Sequence, residues 1–107
     1  YPNFKLVADP REAAADADVP FAAVWASMGQ EGESEKLRAV FEGKYQINDA
    51  VMGVAKSDAM VQHCLPAHRE EEITAKVFEA HAAEIFDEAE NRLHAQKAVM
   101  VRLMGEK

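Results

Sequence analysis

Residues 19–32, Val19-Pro20-Phe21-Ala22-Ala23-Val24-Trp25-Ala26-Ser27-Met28-Gly29-Gln30-Glu31-Gly32, decide the fold. From Val19 to Trp25 the chain is apolar or small, interrupted only by Pro20. Such a run suits a strand covered on both faces, as in a parallel sheet with helices packed against it. Pro20 falls among the strand's first residues, where a missing N–H is tolerated. A glycine-containing loop from Ser27 follows. Ser34 to Glu42 then places Leu37, Val40 and Phe41 on one helical face, with Gly43 marking its end.

Working outward, the same alternation recurs. Upstream, Phe4 to Ala8 reads as a short strand. Asp9 is placed to cap the next helix, Pro10 fits its first position, and Arg11 to Ala17 continues it. Downstream, Asn48 caps a short helix over Asp49 to Lys56, and Ala59 to Cys64 forms a further strand that Leu65-Pro66 stops. Thr74 to His81 reads as a brief helix and Glu84-Ile85-Phe86 as a short edge strand. Asp87 opens the longest helix, which reaches Met104 with Ala89, Leu93, Met100 and Leu103 inward and Gly105 as terminator. Strands alternating with helices, without a hairpin signal, imply right-handed crossovers around a parallel sheet of three to four short strands. The expected class is α/β, one layer structure over residues 1–107 with a long C-terminal helix.

Composition limits what this structure can do. The chain has 107 residues, of which 49% are apolar, but 20 are alanine, leaving a modest set of larger core side chains. With 12 basic and 19 acidic residues the net charge is −7. That balance, without a Lys/Arg cluster, argues against nucleic acid and against an anionic membrane surface. The single cysteine, Cys64, excludes an internal disulfide framework and fits a reducing compartment. No apolar run reaches the length of roughly 18 to 20 residues that a membrane helix needs. The start, Tyr1-Pro2-Asn3-Phe4-Lys5, lacks both an initiator methionine and a signal-peptide order, and reads as a cut or processed end.

Ligands of open parallel sheets gather beyond the carboxyl ends of the strands. Two segments fall there, Trp25 to Gly29 and His63-Cys64-Leu65-Pro66. Cys64 can donate a hydrogen bond, act as a nucleophile or ligate metal, or serve as a small buried hydrophobe. His63, Cys64 and His68 lack a fourth ligand and the spacing of a zinc site, so no metal is expected. Neighbours on a strand point to opposite faces, so His63 is badly placed to activate Cys64. Asp87, Glu88 and Glu90 cluster at the expected helix start, where they complement its dipole. Arg92 stands four residues after Glu88, suited to an ion pair or to an anionic substrate.

Four blocks, Trp25-Ala26-Ser27-Met28-Gly29-Gln30-Glu31, Tyr45-Gln46-Ile47-Asn48, His63-Cys64-Leu65-Pro66-Ala67-His68-Arg69 and Phe86 to Ala98, resemble the ornithine carbamoyltransferases in kind, order and spacing. Relatives that use aspartate carry His-Pro-Leu-Pro and lack Ser-Met-Gly. The resemblance runs the length of the chain yet covers only the C-terminal part of the ornithine-binding domain, a partial Rossmann-like sheet, with the carbamoyl phosphate domain absent. It implies that Ser27 and the backbone of Met28 bind the amino-acid end of ornithine. It implies that Cys64, as the catalytic residue, and Leu65 lie against the reacting centre and carbamoyl phosphate, and that Arg92 binds carbamoyl phosphate.

The implied reaction, in arginine biosynthesis, gives citrulline and phosphate. The resemblance implies no cofactor or metal, and implies a cytoplasmic homotrimer. The chain departs from the family pattern at Ala23, where aspartate holds the ornithine α-amino group, at Ala22, where threonine is common, and at Glu70, usually glycine. The isolated chain is expected to be inactive, because the phosphate-binding segments belong to the missing part. The alternative is a non-catalytic α/β domain derived from the family, binding an amino acid, self-associating, or engineered as a subdomain.

Overall fold

The carbonyls of Asp18 and Pro20 accept the amides of Met60 and Gln62 at 2.9 and 3.1 Å, joining the two apolar runs side by side in the computed structural model, which describes residues 2–105. Tyr1 lies outside them. The strands proper are β1 (Phe21–Ala22) and β2 (Gln62–His63), parallel, with Phe21 opposite Gln62 and Ala22 opposite His63. Pro20 contributes only a carbonyl to this ladder, as its position at the strand start requires. The α/β class, the parallel pairing and the flanking helices agree with the sequence. The sheet is narrower than expected, with two strands among the described residues.

Helix α1 (Pro10–Ala14) begins as its sequence dictates: the Asp9 carboxylate accepts the Arg11 amide at 2.8 Å, and Pro10 occupies the first turn. It packs through buried Ala14 on α3 (Asp49–Met52), where Asn48 accepts the Val51 amide at 3.1 Å. A 3-10 turn at Glu31–Glu33 leads into α2 (Ser34–Phe41). Phe41 anchors α2 between Trp25 and Tyr45, with ring centroids 6.2 and 5.6 Å away. Helix α4 (Ala75–Ala80) is capped by Thr74, whose hydroxyl accepts from the Val77 amide. His81 links it to α5 (Ala82–Met104).

The core sits where α4 and the start of α5 cover β2. It consists of Val61, Ile73, Val77, Phe78 and Ile85, with Ile47, Met52, Leu65 and Ala67 packed against it. A parallel bridge between Ile47 and Ile73 carries the chain under this cluster, with Ile47 donating to Glu72 and Thr74 donating to Ile47.

Three expectations are corrected. Phe4 to Ala8 forms no strand; Phe4 and Leu6 are exposed, and no neighbouring strand meets them among the described residues. Glu84-Ile85-Phe86 is not an edge strand but the first turn and a half of α5. Three residues, only two of them apolar, have no period to separate strand from helix. Here the outer edge of β2 decides. Alternate amides of a parallel strand face opposite edges, so those of Val61 and His63 point away from β1. Glu84 and Glu88, one helical turn apart, accept them, each at 2.8 Å. The inward stripe of α5 is therefore Glu84, Ile85 and Glu88, with His81 just ahead of it. Ala89, Leu93, Met100 and Leu103 are exposed, contrary to the expectation from the sequence.

Helix α5 has 23 residues and a length of about 35 Å, and everything beyond Glu90 stands free of the core. This projection accounts for a radius of gyration of 16.2 Å, where a compact chain of this size has about 13 Å.

Two outcomes follow from this packing. Ile85→Ala should lower unfolding free energy by about 2–5 kcal/mol, whereas Leu93→Ala should stay within about 0.5 kcal/mol, as read from denaturant midpoints. The Glu84 carboxyl is pushed up by burial but pulled lower overall by the Val61 amide and His81, ending below its ordinary value. A lowered folded-state pKa stabilises above the unfolded value and is lost as pH falls through the folded one. Glu84→Gln should therefore flatten the acid limb of the stability–pH curve.

Candidate functional site

The two loops that follow β1 and β2 face each other across a cleft of about 410 Å³. Ala26, Ser27 and Met28 line one side, Pro66 and His68 the other, with Ser34 from the start of α2. The Ser27 loop is held by its own side chains. Gln30 Oε1 accepts the Ser27 amide at 3.2 Å and Glu31 Oε1 accepts the Gly29 amide at 3.0 Å. Gly29 turns the chain at φ +89°, a conformation that glycine adopts without strain. The Ser27 hydroxyl and the exposed Met28 are left facing solvent at the cleft. A hydroxyl beside turn amides makes a directional cradle for a carboxylate.

The opposite wall is built around a buried pair. His63 is fully buried and Glu72 nearly so. His63 Nδ1 accepts the Leu65 amide at 2.8 Å, so the ring proton on Nε2 is donated to Glu72 Oε1, also at 2.8 Å. The same Glu72 oxygen accepts the His68 amide at 2.7 Å. One carboxylate thus ties both ends of the turn from His63 to His68. The turn is tight: Leu65 lies at φ +51° and the Leu65–Pro66 peptide is cis. Holding leucine in the left-handed region carries strain, which the surrounding bonds must balance.

Cys64 is exposed while His63 is buried, so the two point apart as strand alternation requires, and no Cys–His nucleophile pair forms. Cys64 and Leu65 are the residues immediately before the cleft-lining Pro66. Arg92 is exposed in the free part of α5 and does not line the cleft. Its expected ion-pair partner, Glu88, accepts the His63 amide instead, and no salt bridge joins the two among the described residues. Asp87, Glu88 and Glu90 lie inside α5 rather than at its start, so they do not complement its dipole.

Glu70 explains itself in this setting. Its φ is +66°, the conformation that suits glycine, and its carboxylate accepts the Ala75 amide at 2.7 Å, helping to cap α4. Ala22 is buried in β1, and Ala23 lines a second cavity of about 340 Å³ together with Trp25, Tyr45 and Glu72. Sequence reasoning missed Glu72, Glu84, Glu88 and Gln46 as structural pins. Gln46 Nε2 donates to the carbonyls of Glu70 and Glu71 at 3.1 and 3.0 Å. Only the spacing of Glu84 and Glu88, one helical turn apart, carried a readable signal.

Comparison with known proteins agrees with this architecture. Residues 2–103 match the family model for the Asp/Orn binding domain of aspartate/ornithine carbamoyltransferases. The chain is 50% identical over 103 residues to the ornithine carbamoyltransferase of Archaeoglobus fulgidus, covering 96% of this chain and 33% of that protein. Its structure is similar to the anabolic ornithine carbamoyltransferase of Campylobacter jejuni, with a TM-score of 0.85 and 43% identity over 92% of this chain and 32% of that one. The enzyme of Pyrococcus furiosus gives a TM-score of 0.78 at 50% identity, over 92% of this chain and 32% of that one. The chain spans about a third of the length of the curated relatives it matches.

The buried pair should dominate the stability of this wall. Glu72→Ala, which strands His63 Nε2–H and the His68 amide, should cost about 3 kcal/mol in chemical denaturation. At position 70, alanine loses the bond to α4 and keeps the strain, whereas glycine loses the bond and relieves the strain. Glu70→Gly should therefore be more stable than Glu70→Ala by about 1 kcal/mol.

Proposed function

Because the chain belongs to the aspartate/ornithine carbamoyltransferase family, we propose that it is part of an ornithine carbamoyltransferase, the C-terminal portion of the ornithine-binding domain. The carbamoyl phosphate domain is then supplied by the remainder of the polypeptide. One observation carries this reading: the loop at Ser27–Met28 and the turn at Pro66–His68, far apart in sequence, line one cleft beyond the carboxyl ends of two parallel strands. In this reading the Ser27 hydroxyl and Met28 backbone hold the amino-acid end of ornithine. Its side chain runs toward Cys64 and Leu65, where backbone carbonyls receive the protons of the terminal amine as it becomes nucleophilic.

The amine nitrogen attacks the carbamoyl carbon, and the bond from that carbon to the phosphate oxygen breaks. The products are citrulline and phosphate. Arg92 is assigned to the carbamoyl phosphate side, where a guanidinium stabilises the charge of the departing phosphate. That role requires the rest of the polypeptide to bring carbamoyl phosphate to α5. Orienting the two substrates supplies most of the rate, and the isolated chain holds only part of that arrangement. The enzyme is proposed to act in the cytoplasm, in arginine biosynthesis, as a homotrimer. Among the described residues no helix is long and apolar enough to cross a membrane.

Ala22 and Ala23 favour a second reading, a non-catalytic domain derived from the family. The methyl of Ala23 offers no counter-charge to an α-ammonium group. A chimera separates the two. Replacing the corresponding third of the Archaeoglobus fulgidus enzyme with this chain should give citrulline, with ornithine KM raised by Ser27→Ala and turnover lowered by Cys64→Ala. An inactive but folded chimera supports the non-catalytic reading. Within the chimera, Ala23→Asp should tighten ornithine binding by at least about 30-fold, the lower end for restoring a partly buried charge pair.

A further inference from the structure

Glu72 presents a buried oxygen that the fold does not use. Its Oε1 takes two donors, whereas Oε2 has no hydrogen-bond partner in the protein, although the side chain is only 2% exposed. Burying a carboxylate oxygen is costly unless positive charge or a donor meets it. Oε2 faces His68 Nδ1 at 4.0 Å. A Glu71 carboxylate completes a trio whose ligand atoms lie within 4.8 Å of one another.

We propose that His68, Glu71 and Glu72 form a binding site for a divalent first-row transition-metal cation. His68 contributes Nδ1, Glu72 contributes Oε2, and Glu71 contributes one carboxylate oxygen. Metal–ligand bonds of about 2.0–2.2 Å at a tetrahedral angle hold ligand atoms about 3.3–3.6 Å apart, so the observed 4.0 Å separation closes by about half an ångström on binding. One imidazole and two carboxylates suit Mn²⁺, Co²⁺ or Zn²⁺ and make no use of the Cys64 thiol. His68 and Glu71 also line the 410 Å³ cleft, which leaves coordination positions open to water.

The site is braced from behind. His63 and the His68 amide fix Glu72 Oε1, leaving Oε2 turned to the trio, and Gln46 holds the carbonyls of Glu70 and Glu71. Arg38 approaches Glu71 Oε1 at 3.7 Å, which leaves the other Glu71 oxygen for the ion. No ligand motif is legible here, because the metal-facing oxygen of Glu72 is set by its bonds to His63 rather than by spacing along the chain. The site stands independently of the transferase reading.

Mn²⁺ titration of the purified chain, followed by the electron paramagnetic resonance of the free ion, tests this. One saturable site per chain is expected. Glu72→Gln and His68→Ala should each weaken it at least about tenfold, and Cys64→Ser should leave it unchanged. His68→Ala removes only an exposed side chain and keeps the amide that Glu72 binds, so it preserves the fold, as circular dichroism will verify. Nitrogen hyperfine coupling to bound Mn²⁺ should be present in the parent and lost in His68→Ala. Absence of a saturable site, retention of affinity in both Glu72→Gln and His68→Ala, or loss of binding in Cys64→Ser would each overturn the proposal.

Discussion

A single carboxylate oxygen, Glu72 Oε1, joins the buried imidazole of His63 to the amide of His68. Much of the structure hangs from that junction. The imidazole in turn accepts the Leu65 amide, so strand β2 and the turn after it are fixed by one ring. The peptide amide of His63 is taken by Glu88 of α5, which fastens the helix to the same residue. Sheet edge, turn and long helix therefore converge on His63. His63 is tolerated at this depth because its amide and both ring nitrogens have partners, so the groups that hold it act as a unit.

The second constraint is the outer edge of β2. A strand edge must find acceptors for its amides, and here side chains from a helix supply them. This arrangement draws the first turns of α5 onto the sheet and leaves the rest of that helix outside the core. The exposed Leu93, Met100 and Leu103 are the apolar residues left over by that choice. In proteins three times as long, the matched region is accompanied by much more chain.

Local chemistry was legible wherever a residue acts on its near neighbours. Asp9 with Pro10, Asn48 and Thr74 start helices where the sequence says they should, because each side-chain oxygen reaches an amide two or three residues on. The opposed orientations of His63 and Cys64 followed from strand alternation alone. The expectation for Glu84 to Phe86 failed because so short a segment has no measurable period, and its state was decided by amides some twenty residues away. Arg92 could not be judged from spacing either, since Glu88 was already engaged across the fold.

By itself the sequence determined the α/β class, the starts of α1, α3 and α4, the parallel relation of two apolar runs and the likeness to the carbamoyltransferases. All of these rest on periodicity, capping or motif order, which act over a few residues at a time. Tertiary structure alone decided the width of the sheet, the start of α5, the clamp of Glu72 on His63 and the cleft shared by Ser27 and Pro66. These depend on which distant groups satisfy a buried donor or acceptor. That pairing is a property of the folded chain, because no local pattern states which carboxylate will reach which amide.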